Sequence, residues 1–273
     1  MIANVLSIAG TDPTGGAGIH ADIKTFSALG TYAMAAITAV VAQNTQGVRA
    51  FTALDPGFVA DQIDAVFDDV RVDAVKIGMV ANASIAEVVA ERLRRHGARN
   101  IVLDPVMVAK SGDHLLEPDA VSAIRTLLVP LATVMTPNLP EAGVLLDAAP
   151  TWTLEEMRVR VEELYKLGPE WVLLKGGHLN GSAESVDLLH GASRTIELSA
   201  PRIDTRNDHG TGCTLSAAIA ALLSYLSVED GVRAAKTYMH GALATGGVLD
   251  VGHGHGPLHH FHRLWTDAGH FAN

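Results

Sequence analysis

Apolar side chains recur along this chain in two alternating rhythms. Short runs rich in Val and Ile read as buried strands, and each is followed by a stretch in which apolar residues return every three or four positions, the spacing of one helix face. The strand-like runs are Asn4 to Ala9, Ala35 to Ala42, Ala74 to Ile77, Ile101 to Leu103, Ala132 to Met135 and Trp171 to Leu174. Helical spacing covers Gly18 to Leu29, Pro56 to Asp69, Ser84 to His96, Asp119 to Leu128, Pro140 to Leu146 and Thr153 to Leu167. Val186 to His190 and Arg194 to Leu198 flank Gly191-Ala192-Ser193 as an antiparallel hairpin, and two long helices, Thr211 to Leu226 and Val228 to Leu249, follow. Strands alternating with helices predict an α/β fold with a mostly parallel sheet and a small antiparallel edge. No composition break, fixed-period repeat or low-complexity tract interrupts it apart from histidines near residue 255, so a single domain over residues 1–273 is expected.

Composition narrows the setting. One cysteine among 273 residues excludes an internal disulfide and a four-sulfur metal site, which favours a reducing compartment; with no basic residue in Ile2 to Ala9 to begin an export signal, the cytoplasm is expected. A net charge of −10 with no lysine or arginine run argues against a nucleic-acid partner. Gly210 to Val228 carries no charge and raises the question of a membrane span. It opens on Gly210-Thr211-Gly212, contains Ser216, Ser224 and Ser227, and owes its apolarity mainly to alanine, so a buried core helix is the better reading and no membrane partner is expected.

The polar residues that follow the strands carry the chemistry. Parallel sheets bind ligands beyond the carboxyl ends of their strands, and here the strands run into Gly10-Thr11-Asp12, Gln43-Asn44, Gly78-Met79, Asp104-Pro105, Thr136-Pro137-Asn138 and Lys175-Gly176-Gly177. Asp22 falls on the apolar stripe of Ile19, Ile23, Phe26 and Leu29, where a carboxylate either meets a ligand or joins a buried ion pair. His209-Gly210-Thr211-Gly212-Cys213 stands at a helix start, where backbone N–H groups and the helix dipole form an anion hole. In that first turn the Cys213 thiol is expected to have a lowered pKa, fit for a base or nucleophile, the alternative being an inert buried cysteine. Asp104 and Glu141 are candidate ligands of a phosphate-bridging magnesium ion, although an acid beside Pro140 also suits a helix start by itself. Lys175 is placed to reach a phosphate. His253, His255, His259, His260 and His262 suggest a transition metal only weakly, because the interleaved glycines describe a closing loop. Gly10 to Gly16 lacks the Lys and Ser/Thr that finish a P-loop, and neither G-x-G-x-x-G at a strand-to-helix turn nor G-x-S-x-G occurs.

Taken together, Ser7 to Gly18 (SIAGTDPTGGAG), Val40 to Gly47 (VVAQNTQG), Val75 to Met79 (VKIGM), Leu103 to Asp113 (LDPVMVAKSGD), Thr136 to Glu141 (TPNLPE), Leu174 to His178 (LKGGH), His209 to Ala217 (HGTGCTLSA) and Gly252 to Phe261 (GHGHGPLHHF) resemble the hydroxymethylpyrimidine/phosphomethylpyrimidine kinases of thiamine biosynthesis, within the ribokinase-like superfamily. The resemblance spans nearly the whole chain. It implies a three-layer α/β/α ribokinase-like domain, usually a homodimer, that uses ATP and Mg2+ to phosphorylate 4-amino-5-hydroxymethyl-2-methylpyrimidine and then its monophosphate. By motif position, Gln43 and Asp22 would bind the aminopyrimidine, with Gly10, Met79 and Val106 lining its pocket. Gly210, Thr211 and Gly212 would form the anion hole, and Cys213 would stand where most superfamily members carry a general-base Asp. Lys175, Asn138, Thr136 and Asp104 would serve the nucleotide, Asp104 and Glu141 the metal, and Ala109 to Asp113 a lid. Asp208 adds an acid where relatives tend to be small or hydroxylated. Two other readings stay open: a pyridoxal kinase, which shares the Gly-Thr-Gly-Cys element, and a non-catalytic pyrimidine sensor.

Overall fold

A computed structural model describes residues 1–107, 118–149, 151–177, 179 and 184–265, and among these described residues there are ten strands and eight α-helices. The strands are β1 (Asn4–Ala9), β2 (Tyr32–Ile37), β3 (Ala39–Asn44), β4 (Gly47–Ala53), β5 (Ala74–Ile77), β6 (Ile101–Leu103), β7 (Val134–Met135), β8 (Trp171–Leu174), β9 (Glu184–Gly191) and β10 (Arg194–Pro201). The helices are α1 (Gly18–Ala28), α2 (Pro56–Asp69), α3 (Ala83–Arg95), α4 (Pro118–Ala123), α5 (Leu139–Leu146), α6 (Leu154–Tyr165), α7 (Thr211–Leu223) and α8 (Val228–Ala244). Eight strands form one sheet in the order β10-β9-β8-β7-β6-β5-β1-β2; β1, β2, β5, β6, β7 and β8 are parallel, and the β9–β10 hairpin closes one edge antiparallel. Helices α2 to α6 cover one face and α1, α7 and α8 the other, giving the three layers expected.

Local chemistry accounts for most boundaries. The Asp55 side chain accepts from the Phe58 N–H to start α2, with Pro56 pre-set for the first turn, and Asn82 does the same for α3 through Ile85. Thr153 with Glu156, and Asn138 with Glu141, form reciprocal capping boxes at α6 and α5. α7 is buried from Thr214 to Ala221, and its small Ala217, Ala218, Ala220 and Ala221 let it sit close to β5 and β6 between α1 and α8. Its apolarity serves the core, and among the described residues no helix is long and apolar enough to cross a membrane.

Three expectations need correction. The apolar run Ala35 to Ala42 is two strands. At Thr38 the chain leaves the main sheet, its hydroxyl donating to the Met79 carbonyl, and β3 pairs antiparallel with β4 in a separate two-stranded flap. β4 had no strand signal because nearly all of it is exposed, so no alternation marks a buried face. The helix expected over Asp119 to Leu128 is α4 followed by a wide π turn, Ile124–Leu128, and a 3-10 turn, Val129–Leu131; Pro130 has no N–H with which to continue the ladder. The last two helices stop early, α7 at Leu223 and α8 at Ala244 before Gly246-Gly247. The lid segment Ala109 to Asp113 lies outside the described residues.

Candidate active site

Strand alternation delivers the site. In β5, Val75 and Ile77 face the α2–α6 layer, so Lys76 faces α7; in β6, Ile101 and Leu103 point to the same layer as Val75, so Asp104 faces α7 as well. The same parity sends Ser7 of β1, Thr136 beyond β7 and Lys175 beyond β8 to the α7 side, and Ser7 stands opposite Lys76 in register. A row of Ser, Lys, Asp, Thr and Lys thus crosses five neighbouring strands beneath the start of one helix.

That helix start is the predicted anion hole. Gly210 takes a left-handed φ of 86°, and a Cβ there would run into the Gly16 carbonyl oxygen, so only glycine lets the loop after β1 press against the head of α7. Thr211 donates its hydroxyl to the Asp208 carbonyl. A Cβ on Gly212 would stand 3.3 Å from Lys175 Nζ and 3.5 Å from Asp104 Oδ2, so the Lys175–Asp104 pair lies directly against the hole. Lys175 Nζ donates to Asp104 Oδ1 at 3.1 Å, Thr136 Oγ1 donates to the same oxygen at 3.2 Å, and Ser216 Oγ donates to Oδ2 at 3.2 Å. Burial works against charge on Asp104, but Lys175 and Lys76 outweigh it and hold its carboxyl below the usual range. Lys175 stays charged for the reciprocal reason: burial opposes it, and Asp104 and Glu141 hold its pKa up.

Around this centre opens a cleft of about 1460 Å³. Its lining includes Gly10, Gln43, Met79 and Val106, then Gly210 to Cys213, Asp104 and Lys175 with Asn138 and Glu141, and the apolar Ile203, Met239 and Leu243. The structure therefore gathers all but two of the expected residues. Thr136 acts from behind Asp104. Asp22, fully buried, lies beneath the lining, where Lys76 Nζ donates to its Oδ2 at 2.9 Å and Ser7 Oγ at 2.6 Å.

Cys213 does sit in the first turn of α7, but the expected lowering of its pKa is reversed. Burial pushes the thiol up to about 11; Lys76 pulls down, while Asp22, Asp104 and their negative field push up again. The helix dipole is outweighed by two carboxylates and the loss of water. Burial likewise lifts Glu141 to about 7, against the pull of Lys175 and with help from Asp104.

Asp12 organises the loop over the hole, a role the sequence reading missed. Its Oδ1 accepts from Thr14 N at 2.9 Å and Thr14 Oγ1 at 2.8 Å; its Oδ2 accepts from Gly16 N at 3.1 Å, Ala17 N at 2.8 Å and His209 Nε2 at 2.8 Å. Gln43 also helps to hold its negative charge. The histidine tail is a brace. His209 N donates to the Gly256 carbonyl, His255 N to the Thr45 carbonyl and Gly254 N to Thr45 Oγ1, while His260 Nε2 shares a 3.1 Å hydrogen bond with Thr214 Oγ1. Burial drives the His260 pKa down to about 3, and among the described residues no cluster of three or more His, Cys, Asp and Glu is placed to hold a metal ion.

Comparison with known proteins agrees with this geometry. The family model described as phosphomethylpyrimidine kinase matches residues 12–259. The chain belongs to that family. It is 54% identical over 263 residues to the hydroxymethylpyrimidine/phosphomethylpyrimidine kinase of Salmonella typhimurium, covering 96% of this chain and 98% of that protein. A crystal structure of phosphomethylpyrimidine kinase from Clostridium difficile superposes with a TM-score of 0.78 at 41% identity, over 87% of this chain and 98% of that one. The pyridoxal kinase of Staphylococcus aureus, solved with AMP-PCP and pyridoxal, gives a TM-score of 0.88 at 31% identity, over 97% and 95%. The fold of this family member is accordingly ribokinase-like, and the family assignment explains why polar residues of the α7 face, rather than a P-loop, surround its helix start. Lys76 is the residue most clearly overlooked: a lysine inside the four-residue apolar strand Ala-Val-Lys-Ile was a visible signal.

Proposed function

We propose that this chain is an ATP-dependent kinase that phosphorylates 4-amino-5-hydroxymethyl-2-methylpyrimidine to its monophosphate and then to the pyrophosphate, in thiamine biosynthesis. The observation that carries this reading is the placement of the α7 head, with Lys175 and Asp104 against Gly212, in the lining of one cleft. A transferring phosphoryl group needs little covalent help; it needs alignment and neutralisation of its oxygens, which N–H groups at a helix start and a buried lysine supply. Gly10, Gln43, Met79 and Val106 would take the pyrimidine, and Asp22 would act on it from beneath the lining. The apolar Ile203, Met239 and Leu243 suit a nucleotide base, with Asn138, Thr136, Asp104 and Lys175 serving its phosphates.

Magnesium fits the residues present. Asp104 and Glu141 are hard oxygen donors close enough to interact, and Glu141, lifted to about 7 by burial, is an acid that a cation would settle as the carboxylate. Bound there, the ion would neutralise charge on the β- and γ-phosphates. Burial lifts the Cys213 thiol to about 11, so only its minor thiolate form could accept the hydroxyl proton in the first transfer, late, as the developing phosphate ester strengthens the acid.

The whole chain would act as one domain in the cytoplasm. A homodimer is supported by Val40, Val48 and Phe51, large apolar residues exposed on the flap; the kinase reading does not depend on it, and a strictly monomeric mass by light scattering would refute only the dimer. A pyridoxal kinase is supported by a structural relative at 31% identity, against 54% for the pyrimidine kinase, and a sensor would have no use for Lys175 and Asp104 at an anion hole. The test is product analysis with ATP and Mg2+, scoring mono- and pyrophosphate separately and running pyridoxal in parallel. Absence of both pyrimidine products overturns the reading.

A further inference from the structure

Lys76 has no role in the chemistry above, yet its surroundings are unusual. It is fully exposed to protein and not at all to water, in a strand otherwise made of Ala, Val and Ile. A buried ammonium needs a reason. Its partner Asp22 supplies part of one, but the pair is not closed on itself. Both donors to Asp22, Lys76 Nζ and Ser7 Oγ, go to Oδ2, and Asp22 Oδ1 is buried without a hydrogen bond. Of the three Lys76 N–H donors, Asp22 takes one, and no other hydrogen bond to the ammonium exists among the described residues. The side chain also borders the cleft, and Gly78 makes room for it: a Cβ at that position would stand 2.8 Å from Lys76 Nζ. Lys76 interacts electrostatically with Cys213 and Asp104 as well as Asp22, and its ammonium lies beside Gly78, the residue before the proposed pyrimidine contact Met79.

We propose that Lys76 is the fixed positive charge that lets the cleft accept a phosphate monoester, making it a specificity-determining residue for the second transfer. The inference rests on the two-step kinase reading. An alcohol acceptor brings no charge into this region. A phosphate monoester brings between one and two negative charges, into surroundings that already hold Asp22 and Asp104. Without Lys76 those carboxylates would repel the second acceptor while leaving the first nearly indifferent. A lysine whose task was purely structural, holding β5 to α1, would affect both acceptors alike.

The test compares KM and kcat for the alcohol and for the monophosphate, each with saturating ATP and Mg2+, in wild type, Lys76→Met and Asp22→Asn. In Lys76→Met the KM for the monophosphate is expected to rise at least about tenfold more than the KM for the alcohol, the scale of one partly screened charge pair at close range. Asp22→Asn removes a negative charge and leaves the ammonium, so the same ratio is expected to move the other way. Any loss of aminopyrimidine contact in that variant cancels, because both acceptors carry the ring. Equal losses on both acceptors in a folded Lys76→Met overturn the proposal. If Lys76→Met does not fold, Asp22→Asn decides alone: a ratio shifted toward the monophosphate supports it, and an unshifted or opposite ratio overturns it. Wild type failing on either acceptor would refute the kinase reading instead, a result separate from any change in the ratio.

Discussion

Replacing Asp12 by Asn should unfasten the loop after β1 from the head of α7. Both carboxylate oxygens accept from donors, two hydrogen bonds to Oδ1 and three to Oδ2. An asparagine keeps one acceptor and turns the other into an NH2, which must then face N–H or O–H donors whichever way the amide is flipped. Hydrogen bonds to a charged group contribute about 1.5–3 kcal/mol each, and a buried donor left unmet costs about 1–3 kcal/mol. Allowing for relaxation of the loop, and for the partial exposure of Thr14 and His209, a net loss of roughly 3–5 kcal/mol is expected. For a chain of this size that lowers the melting temperature by roughly 6–15 °C. The pH dependence adds a second readout. Burial alone would raise the Asp12 pKa, but the bonds from His209, Thr14 and Gln43 hold it well below the ordinary carboxylate range. A carboxyl whose folded pKa lies below its unfolded value contributes stability that is complete above the unfolded value and lost as pH falls through the folded one. Wild type should therefore lose stability below about pH 4, and Asp12→Asn should lose less of it there. Calorimetry or circular dichroism from pH 2 to 8 would measure both effects. A melting point within about 2 °C of wild type at pH 7, with an unchanged acid limb, would refute the reasoning.

Three further outcomes follow from the same geometry. Gly210→Ala should lower kcat for both acceptors by roughly 100-fold or more, as loss of an oxyanion donor does, because the φ of 86° and the Gly16 carbonyl displace the helix start; near-normal steady-state kinetics would contradict it. Cys213→Ala should impair the first transfer by roughly 10–100-fold, the low end for general-base loss with a thiol lifted to about 11, and the second much less, since its acceptor is already an acidic phosphate; equal losses would sink a proton-accepting role. Asp208→Thr should change the KM for ATP by no more than about threefold, since exposed or partly exposed charge pairs contribute little and Asp208 Oδ1 already meets His255 Nδ1 at 2.8 Å; a tenfold change would mean that the acid acts on the nucleotide.

The sheet and its order of elements were legible because burial on both faces writes long apolar runs, as in β1, β5 and β6. Site residues such as Lys175, Asp104 and the Gly210 to Cys213 turn were legible for a related reason, since polar residues directly after such runs mark strand ends. The flap was not. β4 exposes Val48 and Phe51, so its pattern lacks a dry face, and β3 continues the apolar run of β2 without a break. The Cys213 pKa was misjudged because helix position is local, whereas Asp22 and Asp104 reach it from distant parts of the chain. Asp12 and His209, 197 residues apart, meet only through the fold. Nothing in either segment by itself announces the partner.

The brace formed by the tail has a consequence for the order in which the protein becomes competent. During synthesis β1 and its loop are made before the other strands, but that loop gains its His209 anchor only after residue 209 is made, and His209 in turn leans on Gly256 and Pro257. Thr214, one residue past Cys213, meets His260, whose carbonyl is held by the Tyr238 hydroxyl at 2.6 Å. A ribosome-bound chain can thus assemble most of its sheet while its phosphate cradle is still unfinished. Segments 197 residues apart are joined at the cleft, which ties the appearance of a working cradle to synthesis of the residues through His260.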